Sequence, residues 1–267
     1  MRVGYIADVV GRPGREMIDY HLKKLKKEHF LDIVIANTEN ASHGFGLNIK
    51  NAVELFEAGV DVMTGGNHTF DRKEIVELFD NFNILRPHNL PKSAPGSGVK
   101  ILNINNKKLG IINIMGHFTM PMCDNPFICA QDLVEEIKNE VDSIFIDFHA
   151  EATSEKRALL ALLRGKVSAI VGSHTHIGTD DMVIENGTFY VSDVGLTGCR
   201  DNVIGVDEAA PLKRFLTGMH VPFDIPKQCK KILQMVILEI EGLTCKEAFK
   251  IKLRDNGDNE ILKAYHE

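Results

Sequence analysis

Short β-rich apolar runs recur along the first two-thirds of the chain, and helical patterns separate them. Val3–Ala7, Leu31–Ala36, Asp61–Thr64, Ser143–Phe148 and Lys166–Val171 read as strands. Between them, Arg15–Glu28 carries an apolar stripe of Met17, Leu22 and Leu25, and Asn51–Ala58, Arg72–Phe79, Gln131–Glu140 and Ser154–Arg164 also fit helices. Lys100–Ile104 and Leu109–Met115 are placed as a hairpin across Asn105–Lys108. The style then changes. Asn186-Gly187 between Asp181–Glu185 and Thr188–Ser192 is a type I′ hairpin signal. Glu208–Leu216 follows as a helix with Pro211 in its first turn, and Ile232–Glu239 with Cys245–Leu253 as a closing hairpin. Alternating α and β elements followed by hairpins predict an α/β fold, a four-layer α/β/β/α sandwich. Residues 1–267 are read as a single domain, with 255–267 as a polar surface tail.

The strand ends carry the chemistry. Asp8 closes the first run, Glu39 and Asn40 lie past the second, and Asn67 and His68 follow the third. His149 ends the fourth, and His174 and His176 end the fifth. Ligand sites of open α/β sheets lie beyond the carboxyl ends of strands, so these clusters can meet along one edge. If the chain stays extended over Gly172–His176, residues two apart face the same way and both imidazoles point at one spot. Each residue alone has an ordinary alternative as a cap, a turn residue or a buried histidine; five coincidences are harder to dismiss. Two carboxylates, carboxamide oxygens and three imidazoles are too many donors for one tetrahedral zinc. They suit two metal ions sharing a bridging carboxylate, with Fe, Mn, Zn and Co all compatible.

Composition narrows the setting. A net charge of −6 disfavours non-specific binding to long nucleic acid. The five cysteines, Cys123, Cys129, Cys199, Cys229 and Cys245, include no CxxC pair, which argues against a disulfide framework and for a reducing cytoplasm. Asp8 interrupts the first apolar run too early for a signal-peptide core, and no run approaches the roughly 18 residues that span a bilayer. The Lys23–Lys27 stretch reads as the solvated face of a helix.

Gly65-Gly66-Asn67-His68 and Gly172-Ser173-His174-Thr175-His176 resemble the GNH and GHxH motifs of calcineurin-like metallophosphoesterases. The segments Asp8–Arg15, Glu39-Asn40-Ala41, Asp147–Lys156 and Ser192–Gly198 are similar to the bacterial YmdB-type phosphodiesterases. The first motif of the wider superfamily is usually GDxH, whereas Val9 and Val10 follow Asp8 here; its bridging residue is usually Asp, and here Glu39 matches. The YmdB type shares both departures and uses the asparagine after the glutamate, here Asn40. The resemblance implies one metal held by Asp8, Glu39, Asn40 and His176, and a second held by Glu39, Asn67, His149 and His174, with Glu39 bridging. It implies iron as the usual metal, a homo-oligomer, and hydrolysis of 2′,3′-cyclic nucleotides to 3′-nucleotides.

Two cations about 3.5–4 Å apart can clamp a phosphate and share a hydroxide, so no Ser or Cys nucleophile is needed. His68 is the candidate proton donor to the leaving alkoxide. Asp193 is a candidate acceptor for an imidazole N–H or a turn residue. Arg12 and Arg15 could neutralise phosphate or simply be solvated; His43 and His117 could line the pocket or be incidental. The competing functions are a phosphomonoesterase or RNA-directed nuclease on the same site, and a regulatory metal- or nucleotide-binding protein with little catalysis.

Overall fold

The computed structural model describes residues 1–267. Strands β1 (Arg2–Ile6), β2 (Ile33–Asn37) and β3 (Val62–Thr64) run parallel. The helices α1 (Gly11–Glu28) and α2 (Ile49–Ala58) connect them, and α3 (Ile75–Asn81) follows. A second sheet grows from the hairpin β4 (Val99–Ile104) and β5 (Lys107–Met115). It continues through β6 (Ser143–His149) and β7 (Ala169–Ser173), with α4 (Pro126–Ile137) and α5 (Thr153–Leu163) as crossovers. The hairpin β8 (Val183–Glu185) and β9 (Thr188–Val191) completes this sheet's core, β9 lying parallel to β7. After β10 (Gly198–Cys199) and α6 (Ala209–Thr217), the long hairpin β11 (Lys231–Glu241) and β12 (Thr244–Arg254) returns to the first sheet, β11 antiparallel to β1.

The period-2 pattern of the strands assigns the layers. Val3, Tyr5, Ile33, Ile35 and Val236 face Leu109, Ile111, Phe145 and Val171, forming a core between the sheets. The opposite parity, Ile6, Val34, Ala36 and Met235, packs under Ile18, Leu22 and Leu55 of α1 and α2. Ile112, Ile144, Ile146 and Ile170 pack under Leu133, Val134, Leu159 and Leu160 of α4 and α5. The result is the four-layer α/β/β/α sandwich.

Some elements differ from expectation. The β4–β5 turn is the pair Asn105-Asn106, both at positive φ, so β5 begins at Lys107 rather than Leu109. Asparagine tolerates that conformation better than most residues. Helix α4 starts at Pro126, five residues before Gln131, because the Asn125 side chain accepts from the amides of Phe127 and Ile128 and Pro126 stands in the first turn. Residues 255–267 lie at the surface, but not as a tail: β13 (Asn259–Lys263) pairs with β12, and β14 (Tyr265–His266) crosses to β8 of the other sheet. Cys199 and Cys229 form a disulfide, contrary to the reduced state expected. They are 30 residues apart in sequence, and the fold brings their Cα atoms to 5.6 Å, which no spacing motif reveals. The other three cysteines are free. No helix is long and apolar enough to cross a membrane.

Candidate metal centre

The inward-facing parity changes character along the strands. Ile33 and Ile35 lead to Asn37, Ile111 to Asn113, Phe145 to Asp147 and His149, and Val171 to Ser173; all these polar termini are buried. The apolar core thus ends in a polar floor at the carboxyl edge of both sheets. Asp147 binds this floor together, accepting from Thr64 Oγ1 at 2.5 Å, Ser173 Oγ at 2.8 Å and Asn37 Nδ2 at 3.3 Å. Burial still pushes its carboxyl above the usual carboxylate range.

On that floor His149 Nε2 lies 3.0 Å from Glu39 Oε1, 3.0 Å from Asn67 Oδ1 and 3.1 Å from His174 Nδ1. Glu39, His149 and His174 have the mutual spacing to hold a metal ion. The approach is so close that a side chain at Gly66 would sit 2.4 Å from both Glu39 Oε2 and His149 Nε2. Hydrogen bonds select which nitrogen each imidazole offers. Ser173 spends its proton on Asp147, so it accepts from His149 Nδ1 at 3.0 Å and leaves Nε2 as the donor atom. Glu151 Oε2, 3.0 Å from His174 Nε2, leaves Nδ1 facing the cluster. The Ile204 carbonyl accepts from His176 Nδ1 at 2.7 Å and leaves Nε2 directed at Asp8, 3.6 Å from Oδ2.

The side chains of Asp8 and Asn40 are each held by one hydrogen bond. Asp8 Oδ2 accepts the His174 amide at 2.6 Å, and Asn40 Nδ2 donates to the Gly44 carbonyl at 2.9 Å. Asp8 Oδ1 and Asn40 Oδ1 are buried with no partner. A buried oxygen acceptor left unpaired costs about 1–3 kcal/mol. Asp8, whose other oxygen lies 3.6 Å from His176 Nε2, and Asn40, next to Glu39 in the chain, each keep an uncommitted oxygen that a cation could take. The mixed O/N set without thiolate fits first-row metals such as iron or manganese.

The charges in the centre are strongly coupled. Burial opposes ionisation of Glu39, yet the charge and hydrogen bond of His149 hold it down at about 2. Conversely, burial disfavours the His149 cation, but Glu39 raises it to about 9. Burial and the neighbouring His149 charge push His174 down to about 3. Burial lifts Asp8 to about 6 against the pull of His176 and His149.

The HxH pair does not act through an extended chain. Strand β7 stops at Ser173, and His174 and His176 have φ of 102° and 63°. Each imidazole is aimed separately, towards Glu39 and towards Asp8. Asp193 does not meet an imidazole. It accepts from the Thr175 amide at 3.0 Å and from the fully buried Lys156 ammonium at 3.0 Å, pinning the loop between the two histidines. His68 stands at the rim: its amide donates to Glu39 Oε2 at 2.8 Å, and its Nδ1 lies 2.8 Å from Asp71 Oδ2. His117 is held by the Cys123 carbonyl at 3.1 Å, away from this cluster's contacts. Arg12 is solvated, whereas Arg15 is largely buried, bonding Glu54 and the Ala41 carbonyl. Glu151, Asp147 and Ser173 fall inside the motif segments of the sequence, which assign them no role, and Asp71 falls outside those segments. Asp71 and Glu151 stand three and two residues from His68 and His149, a spacing that could have flagged them.

A family model for YmdB-like proteins matches residues 5–252. A 2′,3′-cyclic-nucleotide 2′-phosphodiesterase from Bacillus subtilis (strain 168) is 43% identical over 254 residues, 94% of this chain and 96% of that protein. The crystal structure of a hypothetical protein from Thermus thermophilus superposes with a TM-score of 0.89 at 36% identity, covering 99% of this chain and 100% of the other. That of a novel phosphatase from Mycoplasma pneumoniae also gives 0.89, at 33% identity over 95% and 93% of the two chains.

Proposed function

This chain belongs to the YmdB-like family, and from that premise we propose that it is a metal-dependent phosphodiesterase hydrolysing 2′,3′-cyclic nucleotides to 3′-nucleotides. The observation that carries the dinuclear form of this reading is the pair of orphaned oxygens, Asp8 Oδ1 and Asn40 Oδ1, set beside the Glu39–His149–His174 cluster. Asp8, Glu39, Asn40 and His176 would hold one ion, and Glu39, Asn67, His149 and His174 the other.

When bound, such ions supply positive charge for the phosphate and a water acidic enough to act as nucleophile near neutral pH. The protein's own groups do the rest. Ser173, Glu151 and the Ile204 carbonyl keep the three imidazoles in the tautomers that offer a lone pair. The missing Cβ of Gly66 leaves room for donors to converge. His68 is the proposed proton donor. With Nδ1–H engaged by Asp71, its Nε2 can deliver a proton to the departing 2′-oxygen, and its amide ties the ring to Glu39. The net charge of −6 favours a small phosphodiester over long nucleic acid. Iron is the proposed metal and a homo-oligomer the proposed assembly, on the family resemblance; the cytoplasm is the compartment proposed from the cysteine pattern, against which the Cys199–Cys229 disulfide stands.

The test is turnover of 2′,3′-cyclic AMP by protein loaded with iron or manganese, with the product isomer identified. The expected product is 3′-AMP. No turnover with either metal, or faster turnover of phosphomonoesters than of the cyclic diester, overturns the reading.

A further inference from the structure

A cavity of about 690 Å³ lies beside the two loops that Asn40 ties together, and none of the proposed metal ligands lines it. Its walls are the first turns of α1, with Arg12, Arg15 and Glu16, the loop residue His43, and the segment running from Ile225 to Lys231. Asn40 joins it to the centre: its carbonyl accepts the amides of Gly11 at 2.9 Å and Gly44 at 3.1 Å, so the two loops flanking His43 and Arg12 hang from a proposed metal ligand. Ile225 wedges between the same two glycines.

The wall is cationic in an otherwise acidic chain. Four cations, Arg12, Arg15, Lys227 and Lys231, face a single acid, Glu16. Glu16 is already engaged by Arg12 Nε at 2.7 Å and by the Lys231 ammonium. Arg15 is spent on Glu54 and the Ala41 carbonyl. The exposed Lys227 and the terminal nitrogens of Arg12 are left as anion-seeking donors, with exposed His43 beside them.

We propose that this pocket binds a second phosphate, attached through O5′ of the nucleotide whose cyclic phosphate reaches the metal centre. The inference rests on the cyclic-nucleotide reading. Its chemical logic is positional: a 2′,3′-cyclic phosphate occupies both secondary hydroxyls of the ribose, so O5′ is the remaining sugar oxygen that can carry phosphate. A 5′-phosphorylated mononucleotide and the end of an RNA strand both present that group. Arginine and lysine donors that charge-assist such a contact act through binding and weaken with salt.

The test compares kcat/KM at low ionic strength for adenosine 2′,3′-cyclic phosphate, its 5′-phosphorylated form, and the dinucleotide ApA ending in a 2′,3′-cyclic phosphate. At least one phosphorylated substrate should gain about 10-fold, mainly in KM. A gain for the mononucleotide alone identifies a free nucleotide; a gain for the dinucleotide identifies an RNA end. The double variant R12A/K227A should erase the gain while leaving the rate on adenosine 2′,3′-cyclic phosphate unchanged. No gain for either substrate, or a gain that survives in the variant, overturns the proposal. Calorimetric binding of adenosine 3′,5′-bisphosphate against 3′-AMP separates this failure from that of the parent reading. If no cyclic phosphate is turned over yet the bisphosphate binds more tightly through Arg12 and Lys227, the pocket stands and the cyclic-nucleotide reading falls.

Discussion

At the scale of single residues, the centre is governed by which atom of each side chain is already committed. Ser173 accepts from His149 only because its own proton goes to Asp147. Ser173→Ala should leave the fold intact but loosen His149, lowering metal affinity about 10–100-fold, as measured by metal-binding calorimetry; unchanged affinity would show that packing alone holds the ring. His68 stands outside the donor cluster, tied to it through an amide. His68→Ala should therefore keep its metal content by elemental analysis while losing about 10²–10⁴-fold in turnover of the cyclic diester. A rate equal to that of the parent protein would remove the proton-donor role. Asp8, Glu39, Asn67, His149 and the two later histidines were legible in the sequence because such side chains are conspicuous after apolar runs. Ser173 and Asp147 were not, because their role exists only where strands β6 and β7 lie side by side.

At the scale of elements, the apolar runs announced the central strands, whereas their ends depended on local backbone chemistry. The left-handed φ of Asn105, Asn106, His174 and His176 is what turns the chain, and only glycine makes such a turn obvious in advance. The C-terminal residues were misread because alternating polar residues on an edge strand look like a solvated tail. Their backbone tells otherwise: β13 closes the open edge of β12, and Leu262 packs against the core between the sheets. Truncation after Asp255 should cost about 1–3 kcal/mol in urea unfolding and expose a sheet edge that light scattering reports as association. An unchanged midpoint with no association would show that β13 and β14 contribute nothing.

At the scale of the whole molecule, two sheets face each other and bury nearly everything between them, including a charge. Lys250 on β12 is fully buried with its ammonium donating to the Thr179 carbonyl at 3.1 Å. Burial first, and then the charge of Lys252, push it down to about 8, although Asp193, Asp181 and Asp180 oppose the shift. The unfolded chain therefore binds more protons than the folded one between about pH 8 and the ordinary lysine value of 10.5. Stability should rise with pH across that window, by up to about 3 kcal/mol from this group. Relative to the parent, Lys250→Met should flatten that rise in urea unfolding from about pH 7.5 to 10.5; parallel curves would refute the assignment. The sequence by itself determined the α/β character, the order of most elements and the residue types at the strand ends, because these follow from local periodicity and composition. The tertiary structure alone decided which nitrogen each histidine offers, which oxygens are left without partners, that Cys199 meets Cys229, and that Arg12, Lys227 and Lys231 line one pocket. Those outcomes depend on contacts between segments far apart in the chain, which periodicity does not encode.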